Sequence, residues 1–557
     1  MDRSLVLSFL LALLASNLPA ADPVMATHGM VVAEEPLASD VGVAVLKSGG
    51  NAVDAAVAVG FALAVTHPFA GNLGGGGFML LRLADGRSTF IDFREKAPAA
   101  ASRDMYLDAS GNATKDSIDG WRAVGVPGSV RGFEMARAKY GTQKWSELIA
   151  PSIQLASKGF AISERSARSL KNAKNMTADP ESRRIFQNRG RYFASGARLR
   201  QPELARTLRR IAKNGAREFY EGETARKLAA AMAQHGGHLT LADLKTYQAV
   251  ERTPLLGRYH DYQVIAAPPP SSGGIGLLQM LGMLEGSGFE KSGAGSASSV
   301  HYVAEVMRRF FADRSQYLGD PDFIRNPVAR LLDPIYMRAR RESIQLDRAS
   351  SSDEILPGLP ATNESSETTH YSIVDKDGNA VAVTYTLNNG YGSGVTVPGL
   401  GFLLNDEMDD FASKPGSPNM FGLIQGESNA ISPGKRPLSA MCPTIVVRDG
   451  KPFLVLGAPG GPRIITSVLQ VILNVIDFHM NVQDAVNAPR FHHQWRPDRL
   501  TMEKDFPPAT FERLQQMGHQ IDSSTGLVLA RVEAILVENG TLYGAADVRW
   551  VGKAAGY

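Results

Sequence analysis

Glu367-Thr368-Thr369-His370-Tyr371-Ser372 is the stretch whose residue types and setting suit covalent chemistry. Ile373-Val374 reads as a strand, Asp375-Lys376-Asp377-Gly378-Asn379 as a tight turn, and residues 380–387 as a second strand leading into Asn388. A threonine before a strand means little alone. This one follows the polar stretch 350–367, two-thirds along the chain. A precursor that cut itself between Glu367 and Thr368 would expose a new N-terminal threonine there. Such a threonine carries nucleophile and base together, because its own α-amine can take the hydroxyl proton. An α-amine titrates near about 8, so a useful fraction is unprotonated at neutral pH.

Other groups suit the same chemistry but have plainer readings. Gly457-Ala458-Pro459-Gly460-Gly461-Pro462 joins a strand to a helix. Amides at a helix start carry partial positive charge, and glycines let an anion approach them closely. That suits an oxyanion hole, or simply a strand–helix turn. Arg94 ends a strand and could grip a carboxylate with its fork, or form an ion pair with Glu95 or Asp92. Asn388, Glu407, Asp409 and Asp410 lie near strand ends, where they could hold an ammonium or cap loops. The glycines at 74–77 lack the lysine and serine of a phosphate loop and precede a strand, so tight backbone packing is expected instead. His492 and His493 sit on an extended segment and point to opposite sides, with no partner at zinc spacing, so they are read as packing residues.

The surrounding elements must position these groups. Residues 39–47 read as a helix stopped by Gly49-Gly50. Asn51 caps a second helix, with Asp54 in its first turn, that runs to about Val65. Apolar strands follow at 78–81 and 89–93 across an Asp85-Gly86 turn. The middle, 128–350, reads as mostly helical with solvated basic faces. Strands return at 443–447 and 452–456, then a helix over 463–478. Strands at both ends and a helical middle suggest layered sheets covered by helices.

Composition sets outer bounds. The chain has 557 residues, 44% hydrophobic and 21% charged, with a net charge of +3 and no block of like charge. Nothing asks for nucleic acid or an anionic membrane surface. Arg3 and the apolar run 5–15, followed by Ala20-Ala21, read as a signal peptide over 1–21, so export is expected, with no membrane anchor. Cys442 is the single cysteine, which excludes an internal disulfide and reads as a small buried hydrophobe.

The motifs taken together resemble the γ-glutamyltranspeptidases, also called glutathione hydrolases, of bacterial type. The likeness begins at Thr368-Thr369-His370-Tyr371-Ser372 and continues through Thr386-Leu387-Asn388 and Leu404-Asn405-Asp406-Glu407-Met408-Asp409-Asp410-Phe411. It goes on through Lys435-Arg436-Pro437-Leu438-Ser439, Pro459-Gly460-Gly461 and Asn487-Ala488-Pro489-Arg490-Phe491-His492-His493-Gln494-Trp495. Upstream, residues 71–79 and Asp92-Phe93-Arg94-Glu95-Lys96-Ala97-Pro98 also fit.

The resemblance implies an α/β N-terminal-nucleophile hydrolase, a four-layer αββα sandwich. It implies self-cleavage between Glu367 and Thr368 into a large subunit, 22–367, and a small one, 368–557, that share one composite domain as a heterodimer. Thr368 would form a γ-glutamyl ester from glutathione or another γ-glutamyl compound, and pass it to water or to an amino acid or dipeptide. Gly460 and Gly461 would be the oxyanion donors, and Thr386 would hydrogen-bond and orient Thr368. Arg94 and Ser439 would hold the substrate α-carboxylate; Asn388, Glu407 and Asp410 its ammonium. No metal or organic cofactor is implied, and a bacterial periplasmic location is expected.

Two departures stand out. Many relatives carry two serines where this chain has Ser439-Ala440, and some carry tyrosine where Phe421 lies in the lid-like loop 415–426. A cephalosporin acylase of the same superfamily, or an inactive peptide-binding relative, are the competing readings. Asp410 speaks against the first, and Thr368, Thr386, Gly460 and Gly461 against the second.

Overall fold

The computed structural model describes residues 22–358, 368–414, 427–524 and 528–557. The expected signal peptide, Glu367, and the lid-like loop with Phe421 lie outside the described residues.

Two seven-stranded sheets form the centre. One runs in the order Val24–Ala26, Thr541–Ala545, Glu533–Glu538, Lys451–Gly457, Thr444–Arg448, Tyr262–Ala266, Leu255–Tyr259. The other runs Lys553–Gly556, Met30–Ala33, Thr369–Val374, Ala380–Thr386, Gly76–Arg82, Ser88–Asp92, Val250–Arg252. Every neighbouring pair is antiparallel. Side chains of the second sheet alternate with the period of two that a pleated strand imposes. Val31, Met79, Leu81, Ile373, Val381 and Val383 share a core with the helix Ala52–Thr66. Met30, Val32, Phe78, Leu80, Ala380 and Ala382 share the other core, with the first sheet and the helices Gly273–Leu284, Ala297–Tyr317 and Arg463–Ile476. Helix, sheet, sheet, helix is the expected four-layer order.

Ala52–Thr66 is buried along its whole length, and its apolar surface all round suits a core helix. Asn51 and Asp54 close a capping box at its start, as their spacing predicts. No helix among the described residues is long and apolar enough to cross a membrane.

Strands from before and after residue 368 interleave. Thr369–Val374 lies between Met30–Ala33 and Ala380–Thr386, and the latter pairs with Gly76–Arg82. Neither stretch could complete this sheet alone.

The helical reading of 128–350 needs one correction. Val250–Arg252, Leu255–Tyr259 and Tyr262–Ala266 are strands that complete sheet edges. They are short, the first two are partly exposed, and their polar residues dilute the apolar alternation that marks an inner strand.

The glycine run packs backbone against backbone, as expected. A Cβ on Gly75 would stand 1.9 Å from the Thr386 carbonyl oxygen, and one on Gly77 2.5 Å from that of Thr384. Gly75→Ala is therefore expected to push the Ala380–Thr386 strand away and cost about 2–4 kcal/mol of stability. Denaturant unfolding of the variant checks this; a wild-type midpoint would show that the strands yield at no cost.

Candidate active site

Thr369 pairs with Tyr385. Continuing that register by one residue puts Thr368 beside Thr386. Thr368 is 1% exposed, and its Oγ1 has no hydrogen-bond partner among the described residues. A buried hydroxyl left unsatisfied costs about 1–3 kcal/mol and asks for an explanation, of which use in chemistry is one.

The expected hydrogen bond from Thr386 to the Thr368 hydroxyl is not made. Thr386 Oγ1 instead accepts the Asn388 amide at 2.7 Å. That bond ties Thr386 into the turn at its strand end, where Asn388 adopts φ +75°. Asparagine tolerates this left-handed conformation better than most residues.

On the other side of Thr368, Thr369 Oγ1 donates to Glu34 Oε2 at 2.7 Å. Burial works against charge on Glu34, but Arg531 and His67 hold its pKa down to about 2. Glu34 thus anchors Thr369, the first strand residue after Thr368. Nothing in its local sequence signalled this, because the contact spans most of the chain.

The Gly460-Gly461 turn begins the helix Arg463–Ile476, and its carbonyls accept the Arg463 and Ile464 amides at 3.2 and 3.0 Å. Gly460 has φ +137° and Gly461 φ +62°. Among the described residues neither glycine amide donates to a protein acceptor, so both remain available to an oxyanion. Gly457 lies on the His370 ring, where an added Cβ would sit 2.4 Å away. The end of the Lys451–Gly457 strand therefore stacks over the start of Thr369–Val374, which brings the turn to the Thr368 edge of the sandwich. His370 itself is structural. It bonds Thr384 Oγ1 at 2.8 Å and Ser372 Oγ at 3.0 Å, and burial pushes its pKa down to about 3.

A Cβ at Gly460 would stand 2.7 Å from the Leu529 carbonyl oxygen. Gly460→Ala is expected to displace the amide and lower kcat on the order of 10²–10³-fold. Steady-state kinetics on processed variant decides this, and an unchanged kcat would remove Gly460 from the oxyanion role.

Arg94, Glu407 and Asp410 converge in a fully buried cluster. Arg94 Nη1 pairs with Glu407 and Nη2 with Asp410, while Glu95 stands 3.7 Å from Nη1. Arg94 Nε donates to the Pro437 carbonyl at 3.2 Å and Nη2 to that of Leu438 at 3.3 Å. The expected carboxylate grip and ammonium grip are therefore not separate. The guanidinium meant for the one is paired with both acids meant for the other.

In and beside this cluster Glu407 Oε2, Asp410 Oδ1 and both Glu95 carboxyl oxygens are buried without hydrogen-bond partners among the described residues, and so is Asn388 Oδ1. Burial pushes the Glu407 and Asp410 pKa values well above the carboxylate range, against the pull of Arg94. Burial likewise raises Glu95 to about 7. On Arg94 burial opposes the charge, but Glu407, Asp410 and Glu95 outweigh it and raise its pKa. A guanidinium beside acceptors with spare lone pairs is complementary to an α-amino acid head group, which brings both a carboxylate and an ammonium.

Ser439 lies next to the two carbonyls that touch Arg94. Its Oγ accepts the Met441 amide at 3.1 Å, and its carbonyl accepts the Ser272 amide at 2.7 Å. Ala440 is fully buried beside it. Asp409 faces away and accepts Ser117 Oγ at 2.8 Å.

Two scaffold asparagines escaped the sequence reading. Asn72 Nδ2 donates to the Thr386 carbonyl at 2.7 Å, and its Oδ1 accepts Ser129 Oγ at 2.7 Å. Asn405 Oδ1 accepts the Glu407 amide at 3.0 Å, and its Nδ2 donates to the Gly74 carbonyl at 2.7 Å. Both act on partners about three hundred residues away, which no local pattern signals.

His492 bonds Thr466 Oγ1 at 2.9 Å, and His493 accepts the Trp495 amide at 3.1 Å, so both pack as expected. Cys442 is buried and free, its thiol pushed up to about 12 by burial. Among the described residues His301, Glu305 and His519 come close enough to share an ion, but Glu305 is already held by Arg308 and Arg309.

Two face-to-face antiparallel sheets between helix layers, with a threonine at the start of a central strand, define an N-terminal-nucleophile hydrolase. The fold agrees with the crystal structure of cephalosporin acylase from Bacillus halodurans: TM-score 0.86, 28% identity, covering 98% of each chain. Within that class the chain belongs to the γ-glutamyltranspeptidase family, whose sequence model matches residues 38–557. It is 50% identical to the glutathione hydrolase proenzyme of Escherichia coli (strain K12), over 96% of this chain and 93% of that protein. The crystal structure of Helicobacter pylori γ-glutamyltranspeptidase is similar at 43% identity and a TM-score of 0.58, covering 62% of this chain and 97% of that chain.

Proposed function

We propose that this chain is a self-processing γ-glutamyltransferase and glutathione hydrolase. Thr368 attacks the γ-carbonyl of glutathione or another γ-glutamyl compound, and the amide nitrogen leaves with a proton. The resulting γ-glutamyl ester passes to water, giving glutamate, or to an amino acid or dipeptide, giving a new γ-glutamyl amide. The free α-amine of Thr368 serves as base, and the Gly460 and Gly461 amides stabilise the oxyanion.

The observation that carries this reading is the buried Arg94–Glu407–Asp410 cluster with its unpartnered acceptor atoms. A γ-glutamyl head group would satisfy both the guanidinium and the spare lone pairs. Ser439 would assist Arg94, and Asn388 would assist the two acids.

A glutaryl-type acylase is the second reading, favoured by the likeness to cephalosporin acylase along the whole chain. A glutaryl group lacks the ammonium, so Asp410 Oδ1, Glu407 Oε2 and Asn388 Oδ1 would stay buried and unsatisfied. Assay with γ-glutamyl and glutaryl anilides separates the two, and faster release from the glutaryl compound would overturn the proposal. Glutathione with and without glycylglycine then reports transfer.

The active form we infer is a heterodimer of 22–367 and 368–557, cut at Glu367–Thr368. Two findings support it: the interleaved strands, and a relative whose solved chain spans about the share of this chain that 22–367 would make. Export through the signal peptide to the periplasm completes the proposal.

A further inference from the structure

We propose that the lobe built by residues 160–199 is a docking surface for an anionic lipid bilayer, met through Lys171, Arg183, Arg189, Arg191 and Tyr192. The inference does not depend on the activity proposed above. The lobe is an excursion whose ends close on each other, because Phe160–Ala161 pairs with Arg198–Leu199. Between them lie the helices Glu164–Asn172 and Pro180–Phe186 and a loop over 187–197. The inner face is apolar: Ile162, Ala167, Leu170, Met176, Ile185 and Phe186 join the core that the helix Ala52–Thr66 shares with the second sheet. The outer face is cationic.

The segment holds nine Arg and Lys against three Asp and Glu, so it carries +6 in a chain whose total is +3. Everything outside it is therefore net negative. Its own acids are all engaged. Glu164 pairs with Arg168 and Glu181 with Arg184, while Asp179 caps its helix by accepting the Ser182 amide at 2.7 Å. Lys171, Arg183, Arg189 and Arg191 are exposed and make no ion pair with a carboxylate among the described residues. These four come together. The Arg183 guanidinium lies over Gly190, where a Cβ would stand 2.8 Å from its Nη2, so it rests on the backbone that carries Arg189 and Arg191. Lys171 Nζ stands 6.0 Å from the ring centroid of Tyr192, the next residue along that loop. Tyr192 is itself 38% exposed.

Like charges gathered without acids repel one another, and a negative partner relieves that repulsion. No run of like charge announces the patch in the sequence, because its cations are dispersed along the segment and only folding gathers them. Two features favour a bilayer over a soluble anion. The exposed tyrosine among the cations has an apolar ring and a polar tip, the combination that settles at headgroup level. The net negative remainder of the molecule is repelled by an anionic leaflet, so one orientation is selected, with this lobe toward the lipid. No helix among the described residues is long and apolar enough to cross a membrane, so the contact is peripheral.

Sedimentation of the purified protein with vesicles tests this. Mixed vesicles of phosphatidylglycerol and phosphatidylcholine should bind it at low salt, and vesicles of phosphatidylcholine alone should not. Raising the salt should release it, since screening shortens the reach of exposed charge. Arg189→Gln combined with Arg191→Gln should weaken binding about 25-fold, roughly fivefold for each charge removed. The corresponding pair of lysine substitutions keeps the charge and should bind within about twofold of the wild type. Tyr192→Ser should weaken binding a few-fold. Lys171→Gln, on a separate helix, should cost about fivefold and keeps the test alive if the loop variants do not fold. Unfolding midpoints equal to that of the wild type show which variants are folded. A wild type that ignores the mixed vesicles, or folded charge-removing variants that bind them as the wild type does, would overturn the proposal. Tighter binding to soluble polyphosphate than to the mixed vesicles would also overturn it, and would make the patch a site for a soluble polyanion.

Discussion

Thr368→Ala should accumulate as one uncut chain, with activity lost on the order of 10⁴-fold or more. The reasoning begins with the sheet. Thr369–Val374 is clamped between two partners, so the residue before it has little freedom. Thr369 is also tied through its side chain to Glu34. The Thr368 hydroxyl is thereby held in a buried place where no described residue bonds it. Removing it deletes the attacking atom for maturation and turnover alike, while the small alanine side chain leaves the packing intact. Thr368→Ser keeps the atom but loses the branching that restricts χ1, so it should mature more slowly and still reach two fragments. A denaturing gel over time reads both. Cleavage of the alanine variant ahead of residue 368 would falsify self-processing by this threonine.

Which parts of the site were legible follows from how each part is encoded. The Asn51 cap is a local pattern, carried by a few adjacent residues, whereas Thr368 and the glycine turn at 460–461 stood out only once the motifs along the chain were taken together. Layered sheets covered by helices were legible from the strands at both ends and the helical middle, whereas the four-layer order came with the family resemblance. The sheet edges at 250–266 were not legible, because partly exposed strands mix charge into the apolar alternation. Glu34, Asn72 and Asn405 act across separations of about three hundred residues, so no local spacing announces them. The ion pairs of Arg94 with Glu407 and Asp410 belong to the same class. Sequence could nominate each residue as a binder, but their contact with one another is a property of the folded chain alone.

That contact shapes the second large effect, in Asp410→Asn. Asp410 Oδ2 holds Arg94, and Oδ1 is left open to a ligand. Asparagine has nearly the same shape and must place its two ends in the same two positions. With its oxygen toward Arg94, its amide hydrogens point where the substrate ammonium should lie, donor against donor. With the amide turned the other way, it meets the guanidinium donors instead. Either orientation loses a charge-assisted contact worth roughly 1.5–3 kcal/mol, so kcat/KM for γ-glutamyl donors should fall about 10–100-fold. Arg94 keeps Glu407 as a partner and Glu95 within 3.7 Å, so the buried guanidinium is not stranded and the variant should still fold. A glutaryl donor brings no ammonium to the open position, and its slower turnover should change much less. Comparing the two anilides on the same preparation separates recognition from support. Equal losses on both would make Asp410 a brace for Arg94 rather than a ligand for the substrate amine.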